Sequence, residues 1–311
     1  MTAPGDLTSL LSTGEQAAFH GKPAAAVAAL EQAVMLAQSQ GRQPEMAAAG
    51  WLLGVALGAG GRYGAALTVL SPLVEAGRAT GASPEHRLFG SLGSATVASV
   101  HRQLGRHAVA QVCDLEALAL TDGTGEAAFD AQLGLASDAI GLDQPEQAGS
   151  RLAQATALIP SRSDEWWRQR VRLGWTKAEL MLLDGEVDDA AVTAREAVDR
   201  AEDARAPRHV AKGLLILGLA QVSGGQIGDE QSDAASTLRR AATLAESLGT
   251  VPLIWPSRAL LGALVAQDDP AESHRSLAAA RSAVLALAGD LPPGVRSDWL
   301  SRPDIAALLH L

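Results

Sequence analysis

Small and aliphatic residues recur along this chain in a helical rhythm that glycine interrupts. Ala26, Leu30, Ala33 and Ala37 stand three or four apart, and Leu214, Leu217 and Gly218 repeat the spacing further on. At 3.6 residues per turn that spacing lays one apolar stripe along a helix. One unit recurs: a helix of small and aliphatic residues ends in a glycine-containing turn, and a second helix opens on alanine with apolar residues four and seven positions later. Gly61-Arg62-Tyr63-Gly64-Ala65-Ala66 leads to Leu70 and Leu73, and Gly21-Lys22-Pro23-Ala24-Ala25-Ala26 leads to Leu30 and Ala33. Anchored on the second-helix alanine, copies fall at Ala26, Ala66, Ala110, Ala148, Ala190, Ala234 and, in shifted register, Ser273.

Helix-start signals keep the same period independently. Pro44-Glu45, Pro84-Glu85, Thr124-Gly125-Glu126, Ser163-Asp164-Glu165, Pro207 and Pro252 each open a first helix, by proline in the first turn or by a cap followed by acids. The two patterns together predict an all-α chain in a single superhelical domain of about seven helix-turn-helix repeats. The repeats run roughly over 7-40, 44-80, 84-121, 124-160, 163-204, 207-249 and 252-290, with a C-terminal capping helix at 294-311. Alanine and glycine at the crossings let paired helices approach closely. Each repeat buries its face on its neighbours, and the expected shape is an open arc with a concave groove.

Composition agrees with helices. Hydrophobic residues are 47 % of the chain and aromatics 3 %, so the apolar content is mainly small and aliphatic, which suits helices better than pleated surfaces. The formal charge of -10 disfavours non-specific attraction to nucleic acid or anionic membranes. A single cysteine, Cys113, excludes an internal disulfide and a cysteine-based zinc site, and is expected to act as a small core residue. The first residues carry no basic and apolar leader, and no uninterrupted apolar run reaches about 18 residues, so the expectation is a cytoplasmic protein with no membrane contact.

Leu53-Gly54 and Leu217-Gly218 in first helices, the Gly61-Arg62-Tyr63 turn, and the sets Ala66, Leu70, Leu73 and Ala190, Ala194, Ala197 in second helices give the chain its likeness: it resembles the tetratricopeptide repeat family. Its period, about 41 residues, exceeds the family's usual value of about 34. In this it is similar to the extended repeats in the arms of large bacterial LuxR-type regulators and of peptide-pheromone sensors. The stretch from Val295 to Pro303, followed by Ile305 to Leu309, is similar to the terminal helix of such arms. The resemblance implies a right-handed superhelix. Counted from the Leu-Gly pair, the family's concave register takes Trp51, Arg102, Arg172, Trp175, Glu179 and Lys212. Indole and guanidinium groups are the usual anchors of recognition, so the expected ligand is a segment carrying carboxylates beside apolar side chains. The chain has no asparagine, which the family's peptide clamps use with lysine, so arginine would supply bidentate pairing instead. A competing reading packs Trp51 and Trp175 between repeats as core.

Catalytic patterns are missing. There is no phosphate loop ending in Gly-Lys-Ser or Gly-Lys-Thr, no Gly-x-Ser-x-Gly elbow and no His-Glu-x-x-His helix. His101, His107 and Cys113 stand six apart, which turns them to different helix faces. Asp184, Glu186, Asp188 and Asp189 read as acids at a helix start, favoured by the helix dipole. Between Arg162 and Trp175, arginines alternate with indoles, a mixture that can stack on bases. The same stretch also places Trp167, Val171, Gly174 and Ala178 on one face, which makes Trp167 core. The leading expectation is therefore a non-catalytic adaptor or regulatory protein, without cofactor or metal, that holds a partner protein or peptide in its groove, for example a transcriptional or signalling protein. Two rivals stand beside it. One is a small-molecule or peptide sensor whose superhelix tightens on its ligand, favoured by a closed apolar groove. The other is a nucleic-acid-binding repeat protein, which requires Arg102, Arg168, Arg170, Arg172 and Lys212 to form one continuous stripe.

Overall fold

A computed structural model describes residues 6–161, 164–225 and 229–310. Within them the chain folds as seven helix pairs: α1 (Leu7–His20) with α2 (Pro23–Ser39), α3 (Gln43–Ala59) with α4 (Tyr63–Arg78), α5 (Pro84–Gln103) with α6 (His107–Ala119), and α7 (Gly125–Gly141) with α8 (Pro145–Leu158). The series continues with α9 (Trp167–Leu183) and α10 (Val187–Asp203), α11 (Pro207–Ser223) and α12 (Asp229–Leu248), and α13 (Val251–Leu264) and α14 (Pro270–Gly289). Each first helix packs on its own second helix and on the first helix of the next repeat, so the odd-numbered helices make one continuous layer.

The seven repeat anchors are all buried, from Ala26, Ala66, Ala110, Ala148 and Ala190 with no exposed surface to Ala234 and Ser273 with almost none. Close approach explains the glycines opposite them. A Cβ on Gly54 would stand 2.5 Å from Leu70 Cδ2, and one on Gly218 2.6 Å from Leu238 Cδ2. The predicted helix starts hold at Pro44, Pro84, Thr124, Pro207 and Pro252. Residues 226–228 lie outside the described residues, as do Arg162 and Ser163. After them a 3-10 turn, Asp164–Trp166, delays α9 to Trp167.

The terminal cap departs from expectation. Instead of one helix over 294-311 there are two short ones, α15 (Pro293–Ser301) and α16 (Pro303–His310). Pro303 disfavours a helical conformation in the residue before it, and Arg302 is extended at φ -57, ψ 136.

A second departure concerns shape. The superhelix curls until its first three repeats touch its last three repeats and cap, so the open arc is not formed. One core joins Ala26, Leu30, Leu57 and Tyr63 to Val284, Leu287, Trp299 and Ile305. The turn at Gly61, held at φ +83, lies so close to α13 and α14 that a Cβ there would meet Leu287, Val251 and Pro252. Asp290, after α14, accepts the Ala65 amide at 3.1 Å and so caps α4, whose own N-cap, Arg62, supplies no side-chain bond. The Gly105 turn lies against the Arg302 guanidinium, which in turn covers the Trp299 ring at 5.1 Å. At the other closure the end of α1 meets α9 and α11, through His20 Nδ1 donating to the Arg205 carbonyl (3.3 Å) and Arg208 donating to the Ala18 carbonyl (3.3 Å).

Candidate functional site

The six groove candidates all lie on the layer of first helices, and most of them reach toward a neighbouring first helix. Trp51 on α3 is partly buried and donates its indole N–H to Thr96 Oγ1 on α5 (3.2 Å). Arg102 on α5 donates to Asp138 on α7 (2.9 Å), to the Gly134 carbonyl (3.1 Å) and to Asp114 on α6 (2.6 Å). Arg172 on α9 is bonded to Asp130 on α7. Lys212 on α11 pairs with Glu179 on α9 at 3.3 Å and lies 5.6 Å from the centre of the Trp175 ring.

Trp175, Glu179 and Lys212 are thus brought together, with Trp175 stacked on His209 at 5.4 Å between ring centres. The Trp175 indole N–H has no partner among the described residues. Trp175 also packs against the two core clusters that hold Val171 and Val198 and Leu217 and Ala220, so it borders the core while keeping part of its surface accessible.

Arg102 and Arg172 are committed to buried aspartates that the sequence reading did not single out. Asp114 and Asp138 are wholly buried side chains. Burial alone would lower the Arg102 guanidinium, but the two carboxylates outweigh it and hold it above its ordinary value. Asp114 is pushed well above the usual carboxylate range by burial, and Asp138 adds to this while Arg102 opposes it. Asp130 behaves oppositely: burial would raise it, but Arg172 and Arg168 together hold it low. A trace of these acids was visible as Asp130 and Asp138 interrupting an otherwise apolar helix, AAFDAQLGLASDAIG.

The basic stretch also resolves residue by residue. Trp167 is partly buried against the Val171 and Val198 core, while Val171, Gly174 and Ala178 are fully buried on the predicted face. Arg168 reaches Glu126 and Asp130 at 3.4 Å each, and Arg170 donates to the Pro160 carbonyl at 2.5 Å. Arg102, Arg168, Arg172 and Lys212 are therefore each paired with acids of the chain, and Arg170 with a carbonyl, so among the described residues these five do not form a continuous stripe of unpaired cations. Asp184 ends α9, and Asp188 and Asp189 lie in the first turn of α10. Among the described residues no group of three potential ligands is gathered for a metal, and no helix is long and apolar enough to cross a membrane. Cys113 is half-buried, and burial, with Asp114 and Glu116, pushes its thiol up to about 11.

A second cluster, unforeseen from the sequence, forms where the end of α1 closes on α9 and α11. The ring of His209 lies 5.0 Å from that of Trp167, which lies 5.1 Å from His20. Arg168 covers the Phe19 ring at 5.2 Å. Burial, then Arg208, Arg168 and Arg172, push His209 far below its ordinary value, which leaves it neutral at pH 7. Nothing local in the sequence joins residues 18–20 to 167–172 and 205–209; only the curvature of the superhelix does.

No family model and no curated protein matches the chain. Solved structures do. The chain resembles the crystal structure of a Rap protein complexed with competence and sporulation factor, with a TM-score of 0.66, 10 % identity, and coverage of 97 % of this chain and 89 % of that one. It also aligns with yeast Tom70 at a TM-score of 0.48 and 12 % identity, over 98 % of this chain and 64 % of that one. The fold is a tetratricopeptide-like α solenoid.

Proposed function

We propose that this chain is a non-catalytic regulatory protein that binds a short peptide or protein segment inside its superhelix. The observation that carries the reading is the closure of the first repeats on the last, in a chain whose layer of first helices bears the cluster of Trp175, Glu179 and Lys212. A closed superhelix suits a short segment better than a large folded partner. The likeness in fold to a Rap protein complexed with competence and sporulation factor supports it, since it spans nearly the whole of both chains. In this reading Trp175 and Lys212 contact the ligand and Glu179 orients Lys212. Trp51, Arg102 and Arg172 hold neighbouring first helices at the spacing the ligand needs. Action in the cytoplasm belongs to the same reading, which a single cysteine suits.

Purification from native cells, with mass spectrometry of both the protein and the low-mass fractions, tests it. A co-purifying peptide or protein that wild type retains and Trp175→Ala loses is the expected result. Recovery of nucleic acid, or of a non-peptide small molecule alone, overturns it.

A further inference from the structure

Arg208 is a cation to which the described residues offer no acid. Among the described residues its one hydrogen bond is to the neutral carbonyl of Ala18, and its Nε finds no partner there. Two more guanidiniums lie beside it. Arg168 covers Phe19, the residue after Ala18, and shares Asp130 with Arg172. Glu126 is the second acid, bonded to Gln169 at 2.6 Å and to Arg168. Three arginines therefore face two carboxylates, leaving one positive charge unbalanced within a chain whose net charge is -10. An unpaired, partly desolvated charge is costly to a fold. The neighbouring His209 is 3 % exposed, neutral, and has no partner at Nδ1, so it adds a second unmet polar group at the same place.

We propose that Arg208, backed by Arg168 and Arg172, is the anchor for a single carboxylate of a peptide ligand, entering between the end of α1 and the start of α11. One carboxylate cancels the one unbalanced charge, and its planar oxygens match the guanidinium fork. Phe19 and Trp167 beside it offer apolar surface to the adjoining side chain. Arg208 is only partly buried, which leaves it open to a ligand. Burial, with Arg168 and Arg172 nearby, pushes Arg208 down to about 10, the response of a cation that lacks a counter-ion. The carboxylate takes the place of the Ala18 carbonyl on Arg208, so binding loosens the contact between the first repeat and the sixth.

The peptide nature of the ligand rests on the function proposed above; the carboxylate site does not. Nitrogen–proton correlation spectra of the full chain, following the Arg208 Nε–H and the Trp167 and Trp175 indoles at constant ionic strength, test the site with four probes. N-acetyl-leucine carries an α-carboxylate, N-acetyl-aspartic acid α-amide carries only a side-chain carboxylate, N-acetyl-leucinamide carries neither, and inorganic phosphate is the competing anion. The acids are expected to move these resonances and the leucinamide to leave them in place, the stronger acid identifying the source of the carboxylate. Arg208→Gln should weaken binding about tenfold or more, as loss of a charged hydrogen bond does. Should that variant not fold, Arg208→Lys retains the charge without the fork and should weaken binding severalfold. The proposal falls if leucinamide binds as well as the acid, if phosphate binds more tightly than either acid, or if the Arg208 variant that folds binds normally. Carboxylate binding here, with no peptide recovered from cells, would sink the peptide reading alone. A recovered peptide that binds equally well with every carboxylate blocked would sink this site alone.

Discussion

Asp290 holds the amide of Ala65 at 3.1 Å across 225 residues of sequence. A cap of this kind contributes about 1 kcal/mol, and here it also closes the molecule. Asp290→Ala should lower the thermal midpoint and enlarge the scattering radius, which for the closed wild type should lie near 20 Å, the value for a compact chain of this length. A wild-type radius well above that, unchanged in the variant, would show the closure to be absent in solution. Gly64→Ala should cost more than Asp290→Ala, because its Cβ would fall on the Asp290 backbone carbonyl.

Crossing glycines make a separate prediction. Gly218→Ala forces a methyl against Leu238 in a fully buried contact, and overpacking of this kind costs about 1–3 kcal/mol. Urea denaturation should register that loss. A partly exposed helical glycine such as Gly149, with open space where its Cβ would stand, should gain stability on the same change.

How much of this was legible follows from range. The repeat period, the buried anchors and the close crossings depend on residues within one or two helices, so spacing alone exposes them. The register also placed Trp175, Glu179 and Lys212 on neighbouring first helices, where they meet. What spacing could not supply was the partner of each arginine: Asp114 and Asp138 for Arg102, Asp130 for Arg172. Those pairs depend on how tightly successive repeats rotate. The contacts of residues 18–20 with Trp167, Arg205 and Arg208 depend on that rotation summed over five repeats, which small per-repeat differences in helix length decide.

The Arg102 triad predicts a pH dependence. Asp114 keeps its proton to a higher pH in the folded chain than in the unfolded one, where a carboxyl titrates near 4. Above about pH 4 the folded state therefore binds more protons. Stability from this group is present at lower pH and lost as pH rises through the elevated folded value, with a slope of at most about 1.4 kcal/mol per pH unit for one proton. His209, lowered in the folded state, acts in the opposite sense below about pH 6.5, so the comparison must be with a variant. Asp114→Asn should flatten the decline between about pH 6.5 and about pH 8. An unchanged slope would mean that Asp114 ionises normally.

Cys113 should be sluggish toward alkylating reagents. With its thiol at about 11, the reactive thiolate fraction at neutral pH is lower by more than a hundredfold than that of a free cysteine near 8.5. Iodoacetamide labelling of the native chain, compared with the chain in denaturant, measures the ratio directly. Equal rates would place the thiol in open solvent.

Contact between the first and last repeats changes how the array comes apart. In an open solenoid each repeat touches only its neighbours, so unfolding can start at either end and stop part way. Joining the ends through Asp290 and Ala65, and again through Arg208 and Ala18, gives the first and last repeats contacts beyond their neighbours in sequence. The amides of α3 and α4 should then exchange with solvent as slowly as those of the middle helices, and denaturation should run as one cooperative transition. Such a chain behaves as a loop of repeats, in which a ligand that parts one seam changes the cooperativity of all seven.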